Sequence, residues 1–129
     1  MTIKYGSFAD IPPVKVDKLL IERALSNLVM NAIKYGEPGS EISILPLSQP
    51  EGFYINVMNK GLGVSEQDAP HLFKPNFRAR RTLHLALGSG IGLTIAKAAM
   101  EKHGGKLLLK NLKDPTVFAM FFPRKLIVN

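Results

Sequence analysis

Residues 24–36 read ALSNLVMNAIKYG. Two asparagines, Asn27 and Asn31, interrupt an otherwise apolar run, and Lys34 and Tyr35 follow closely. Asparagine is a poor helix former, and it costs free energy when buried without partners. Spacings of four, three and one put these four residues on one stripe of a 3.6-residue helix, with aliphatic side chains on the other flank. Upstream, Asp17 is a good N-cap, and Leu20, Ile21, Ala24, Leu25, Leu28, Val29 and Ala32 recur at helical spacing. Gly36, followed by Pro38 and Gly39, ends the helix. The stripe suits a metal–phosphate group. Mg²⁺ takes oxygen ligands and shares substrate phosphates, so Asn31 can offer an amide oxygen, Lys34 a point charge for phosphate, and Tyr35 a flat surface for a base. The plain alternative is a helix whose polar face meets water.

Outward from this helix, Pro12-Pro13 forbids helix, so residues 1–15 are expected to be an extended lead-in. Residues 41–47 alternate as a strand, Gln49-Pro50-Glu51-Gly52 is a turn, and FYINVMN, residues 53–59, is a second strand. A glycine loop, KGLGV, follows. Ser65 is placed to cap a short helix over residues 66–73. Residues 74–89 are long, basic and weakly patterned, as a mobile lid is expected to be. A second helix is predicted over residues 92–103, with Ile95, Ala98, Ala99 and Lys102 periodic and Gly104-Gly105 at its end. KLLLKNL and TVFAMFFP are two more strands joined by Lys113-Asp114-Pro115. Strands in consecutive pairs with tight connections predict a mixed, mostly antiparallel sheet with helices on one face: an α+β two-layer sandwich, in a single domain over residues 1–129.

The chain has 129 residues, is 46% hydrophobic and contains no cysteine, which excludes disulfides, thiolate metal sites and cysteine nucleophiles. It fits a reducing cytoplasm. No apolar run approaches the ~20 residues that span a bilayer, and no signal peptide opens the chain, so no membrane insertion is expected. The net charge of +7 favours an anionic partner. Arg78, Arg80 and Arg81 form the densest basic cluster, in a loop-like stretch that runs into glycines. No aromatic–basic motif accompanies the charge, so nucleic acid is not expected as a partner.

Gly61 and Gly63 follow the strand that ends at Asn59, in a G-x-G pattern that ordinary turns share. Gly88, Ser89, Gly90, Gly92 and Leu93 form GSGIGL at the start of the second helix, where bare backbone N–H groups make an anion site. The spacing is neither that of a dinucleotide-binding fingerprint nor that of a Walker loop.

Together these motifs resemble the GHKL ATPase superfamily, and most closely the ATP-binding catalytic domain of sensor histidine kinases. Asn27-Leu-Val-Met-Asn31-Ala-Ile-Lys34-Tyr35 looks like its N box, Asn59-Lys-Gly61-Leu-Gly63-Val its G1 box, Leu72-Phe73-Lys-Pro-Asn-Phe77-Arg78 its F box, and Gly88-Ser-Gly90-Ile-Gly92-Leu93 its G2 box. Asp114-Pro-Thr116-Val-Phe118 looks like the terminal box. The resemblance covers residues 16–123 with all boxes in order. It implies the Bergerat fold, with ATP and Mg²⁺ beneath a lid. By position, Asn31 would be the main Mg²⁺ ligand, Asn27 would support the metal or its waters, and Lys34 would meet the phosphates. Tyr35 would lie against the nucleotide. Gly88, Ser89, Gly90 and Gly92 would bracket the triphosphate, Phe73 and Phe77 would anchor the lid, and Arg78 would reach phosphate.

Two departures stand out. Asn59 occupies the place of the family's adenine-reading aspartate, and Pro115 replaces the usual glycine before Thr116, at the expected far wall of the base pocket. The resemblance implies a histidine kinase domain that delivers phosphoryl to a phosphoacceptor histidine on a separate domain, with a response regulator downstream. None of His71, His84 or His103 sits in an acceptor-like helix. A different reading is a degenerate, non-catalytic module that serves as a protein-docking surface. A third is an ATP-hydrolysing relative, disfavoured because Asn27 stands where such members carry a glutamate base.

Overall fold

The computed structural model describes residues 2–9, 11–74 and 92–128. In chain order it has β1 (Thr2–Tyr5), α1 (Lys18–Tyr35), β2 (Glu41–Gln49), β3 (Gly52–Asn59), a 3₁₀ turn (Ala69–His71), α2 (Gly92–Lys102), β4 (Lys106–Asn111), β5 (Thr116–Pro123) and a second 3₁₀ turn (Arg124–Leu126). The strands form one sheet in the order β1-β2-β3-β5-β4. β1 runs parallel to β2, and every other pairing is antiparallel. This is the predicted mixed sheet, with β1 added at an edge within the extended lead-in.

α1 begins where the sequence places its cap: the Asp17 carboxylate accepts the Leu20 backbone N–H at 3.2 Å. Its apolar face, centred on Ala24, Leu28 and Ala32, lies on the sheet. The same sheet face presents Ile42, Ile44, Phe53, Val57, Leu107, Phe118, Met120 and Phe122, alternate residues of their strands, with the Phe53 and Phe122 rings stacked at 4.8 Å. Truncating Leu28, 1% exposed, to alanine costs about 2–5 kcal/mol. α2 packs beside α1 on this face through Ala96, Ala99 and Met100. Of the periodic residues, Ile95 is 46% exposed and Ala99 is buried, and alanines carry the contact because they let the two helices approach closely. The short helix expected over residues 66–73 is also smaller. Ser65 Oγ accepts the Asp68 N–H at 3.1 Å, but Pro70 cannot donate within a helix, and only the 3₁₀ turn remains.

The two helices are antiparallel neighbours, tied at one end by His103. Its Nε2 accepts the Asp17 backbone N–H at 2.9 Å, and its Nδ1 donates to the Ala99 carbonyl at 2.7 Å. Because one partner is a donor and the other an acceptor, a single neutral tautomer satisfies both. No described helix is long and apolar enough to cross a membrane.

Candidate functional site

At the other end of the helix pair, α1 meets the start of α2. A Cβ built on Gly92 would lie 3.7 Å from Asn27 Oδ1, so the amide of Asn27 sits against the first turn of α2. Asn31 and Lys34 continue the same stripe one and two turns further on, and all three are half-buried. The stripe therefore does not simply face water: it is half-buried, and at Asn27 it meets the start of α2.

The glycine loop closes the far end of α1. Gly61 bridges to Gly36, Leu62 N–H donates to the Tyr35 carbonyl at 3.2 Å, and Glu37 N–H donates to the Lys60 carbonyl at 2.7 Å. A Cβ on Gly61 would sit 2.1 Å from the Tyr35 carbonyl oxygen, so only glycine permits this seam. Gly63 has φ +70°, with the Lys113 side chain packed against it, and Val64 N–H donates to the Leu112 carbonyl at 2.8 Å. The loop is thus sewn to α1 on one side and to the β4–β5 turn on the other.

The floor comes from two adjacent strand ends. Asn59 of β3 pairs with Thr116 of β5, and both are on the helix-facing side, 5% and 4% exposed. Thr116 Oγ1 donates to the Leu112 carbonyl at 3.1 Å. The Asn59 side chain has no hydrogen-bond partner among the described residues. An amide buried without a partner costs about 1–3 kcal/mol, and it is the kind of group a ligand satisfies.

Phe73 is half-buried, packs edge-on against Phe118 at 6.3 Å and has the Lys97 ammonium 6.0 Å from its ring centroid. Its carbonyl accepts the Thr94 hydroxyl at 2.8 Å. Leu93 packs against the core. Thr94 and Lys113 escaped the sequence reading; the contacts that give them a role reach across the fold, and nothing in their neighbourhood signals them. Phe77, Arg78, Gly88, Ser89 and Gly90 lie outside the described residues, as does the lid segment beyond Lys74.

Pro115 lines a cleft of about 370 Å³ with Lys60, Ser43 and Met58, and the last two belong to the sheet face turned away from the helices. Asn59 lines this cleft too, while its strand partner Thr116 faces the opposite side of the sheet from Pro115. The Asn111 side-chain amide holds the turn by donating to the Lys113 and Pro115 carbonyls at 3.0 and 2.6 Å. Among the described residues no group of three or more His, Asp or Glu side chains gathers to hold a cation.

Residues 16–126 match the family model described as histidine kinase-, DNA gyrase B- and HSP90-like ATPase. The chain is 33% identical over 100 residues to the adaptive-response sensory kinase SasA of Prochlorococcus marinus, covering 77% of this chain and 26% of that protein. It is 33% identical over 109 residues to the sensor histidine kinase HprS of Escherichia coli, covering 84% and 24%. It thus spans about a quarter of the length of these relatives. Among solved structures, it is similar to the nucleotide-free catalytic domain of histidine kinase ThkA, with a TM-score of 0.76 and 26% identity over 95% of this chain and 78% of that one. The mycobacterial sensor histidine kinase MprB is similar at a TM-score of 0.75 and 25% identity, over 94% of this chain and 83% of that one. The two-layer α+β architecture is the Bergerat fold of these catalytic domains, and the chain belongs to the histidine kinase-, DNA gyrase B- and HSP90-like ATPase family.

Proposed function

We propose that this chain is the ATP-binding catalytic domain of a two-component sensor histidine kinase, folding as one domain, which positions ATP and Mg²⁺ for phosphoryl transfer to a histidine on a separate phosphoacceptor domain. One observation carries the reading: the Asn27 amide rests on Gly92, so the polar stripe of α1 faces the N-terminal turn of α2. A helix N-terminus favours phosphate through its backbone N–H groups and dipole. Asn31, with Asn27 beside it, offers amide oxygen to a Mg²⁺ ion arriving on the phosphates, and Lys34 adds charge. A Mg²⁺ ion held there would supply neutralisation of the charge that develops on the phosphates. The unpartnered Asn59 amide meets the base on the floor beside Thr116, and Tyr35, Gly61 and Gly63 shape the wall. Phe73 precedes the segment whose Phe77, Arg78, Gly88, Ser89 and Gly90 would, by the family resemblance, meet the triphosphate.

The transfer breaks the bond between the γ-phosphorus and its bridging oxygen and forms a P–N bond to imidazole, with ADP leaving. The imidazole comes from outside this domain, on the same chain or a partner chain. Within it, His103 is occupied by two backbone groups, and no carboxylate stands at position 27 to activate water for hydrolysis instead. A response regulator then takes the phosphoryl group; ThkA, a structural relative at 25% identity, has been seen in complex with a response regulator protein. A cytoplasmic site of action follows from ATP as substrate.

The test is calorimetric titration of a non-hydrolysable ATP analogue with excess Mg²⁺ and with chelator, on the parent and on Asn31→Ala. Binding in the parent should depend on Mg²⁺, and the variant should lose roughly tenfold of that dependence, as loss of a charge-assisted contact implies. An unchanged Mg²⁺ dependence in folded Asn31→Ala overturns the metal assignment.

A further inference from the structure

We infer that the base pocket accepts 6-oxopurine nucleotides alongside 6-aminopurine ones, with Asn59 as the residue that permits both. The inference rests on the nucleotide-binding reading above and concerns which base that site takes.

The argument begins with what a carboxamide is. One end of the Asn59 side chain accepts hydrogen bonds, and the other donates them. Nothing in the described structure chooses between its two orientations. The residue is 95% buried by its 5% exposure, yet its amide has no hydrogen-bond partner that would fix the oxygen on one side and the nitrogen on the other. Its neighbour across the sheet does not fix it either: the Thr116 hydroxyl donates to the Leu112 carbonyl and makes no hydrogen bond to the Asn59 amide. A half-turn about the last side-chain bond therefore exchanges donor for acceptor at little cost to the protein.

The two purine edges differ by that same exchange. A 6-aminopurine presents a donor at its exocyclic nitrogen and an acceptor at N1. A 6-oxopurine presents an acceptor at O6 and a donor at N1. An aspartate at this position can only accept, so it would match the amino group and repel the O6 oxygen. The Asn59 amide meets either edge: Oδ1 toward an amino group, or Nδ2 toward O6. A site that depends on a buried hydrogen-bonding group discriminates by leaving that group unpaired with the wrong ligand, and an adaptable amide leaves nothing unpaired.

The experiment measures the β,γ-imido analogues of ATP and ITP, each with excess Mg²⁺, by calorimetry on the parent and on Asn59→Asp, with circular dichroism to confirm that the variant is folded. In the parent, the two affinities should agree to within about fivefold, a gap under 1 kcal/mol. In Asn59→Asp, the ratio should move at least tenfold toward the adenine analogue. A parent that prefers adenine by more than about thirtyfold overturns the inference and leaves the nucleotide-binding reading standing. The same ratio in parent and variant also overturns it, because Asn59 then does not read the base. If Asn59→Asp does not fold, the parent ratio decides alone. Binding of neither analogue overturns both readings together.

Discussion

Replacing Gly61 with alanine tests the seam between α1 and the glycine loop. The new Cβ would lie 2.1 Å from the Tyr35 carbonyl oxygen, 2.9 Å from Gly36 Cα and 3.1 Å from Glu37 N. All three are backbone atoms, so no side-chain rotation relieves the clash, and the strands of the seam must separate. Overpacking of this kind costs about 1–3 kcal/mol. The two hydrogen bonds that hold the seam, Leu62 N–H to Tyr35 and Glu37 N–H to Lys60, contribute roughly 1 kcal/mol each and lengthen with it. A total of about 3–5 kcal/mol corresponds to a fall in Tm of roughly 15 °C for a chain of this size. Gly39→Ala is the control. Gly39 has φ +79°, but nothing lies within 4 Å of its Cβ position, so it bears only the cost of the left-handed backbone, about 1–2 kcal/mol. Differential scanning calorimetry reads both Tm values. A second readout, ATP-analogue affinity well below Tm, should fall for Gly61→Ala and stay level for Gly39→Ala. A Gly61→Ala protein melting within 2 °C of the parent would refute the geometry on which this rests.

Asn59→Leu, nearly the same shape without the amide, should raise the Tm of the nucleotide-free protein by several degrees, since an unpartnered buried amide costs about 1–3 kcal/mol, while weakening nucleotide binding; a lowered Tm on thermal scanning would contradict it. His103→Ala should cost about 1–3 kcal/mol in urea unfolding by removing the hydrogen bond that ties it to Asp17 at the start of α1 and the one back to Ala99 in α2, and His103→Phe, which keeps the ring's bulk, should recover little of it. Thr94→Val removes the hydroxyl that holds the Phe73 carbonyl and should cost about 1 kcal/mol, with hydrogen exchange rising near residues 72–74; unchanged protection there would count against the contact.

Much of the fold was legible because the local signals agreed with the global one. Asp17, the 3.6-residue spacing and Gly36 bounded α1, and the alternation on either side of Pro50-Glu51 gave the β2–β3 hairpin. β1 escaped because its side chains, Thr2 to Tyr5, are all exposed, so no buried alternation marks it; its pairing with β2 is decided only after α1 has crossed between them. The packed face of α2, Ala96, Ala99 and Met100, was not marked by the periodicity, because alanines carry little pattern and Ile95 points outward. The His103–Asp17 link joins residues 86 positions apart and has no sequence signature. Within the site, the residue types and spacings were readable, and the structure brings Asn27 to Gly92, Tyr35 to Gly61 and Asn59 to Thr116. What the sequence could not show was that the Asn59 amide lies buried without a partner, a property of its surroundings rather than of its neighbours in the chain.

The Thr94–Phe73 hydrogen bond has a consequence for how this protein tolerates insertion. Phe73 and Thr94 are 21 positions apart in sequence, and that bond, with the Phe73 ring seated on Phe118, holds the two ends of the intervening stretch side by side. Closing a loop between two points already fixed depends only logarithmically on its length, so doubling the intervening sequence costs about 0.6 kcal/mol. A reporter inserted between Phe73 and Thr94 should therefore leave the stability of the sheet and both helices within about 1 kcal/mol of the parent.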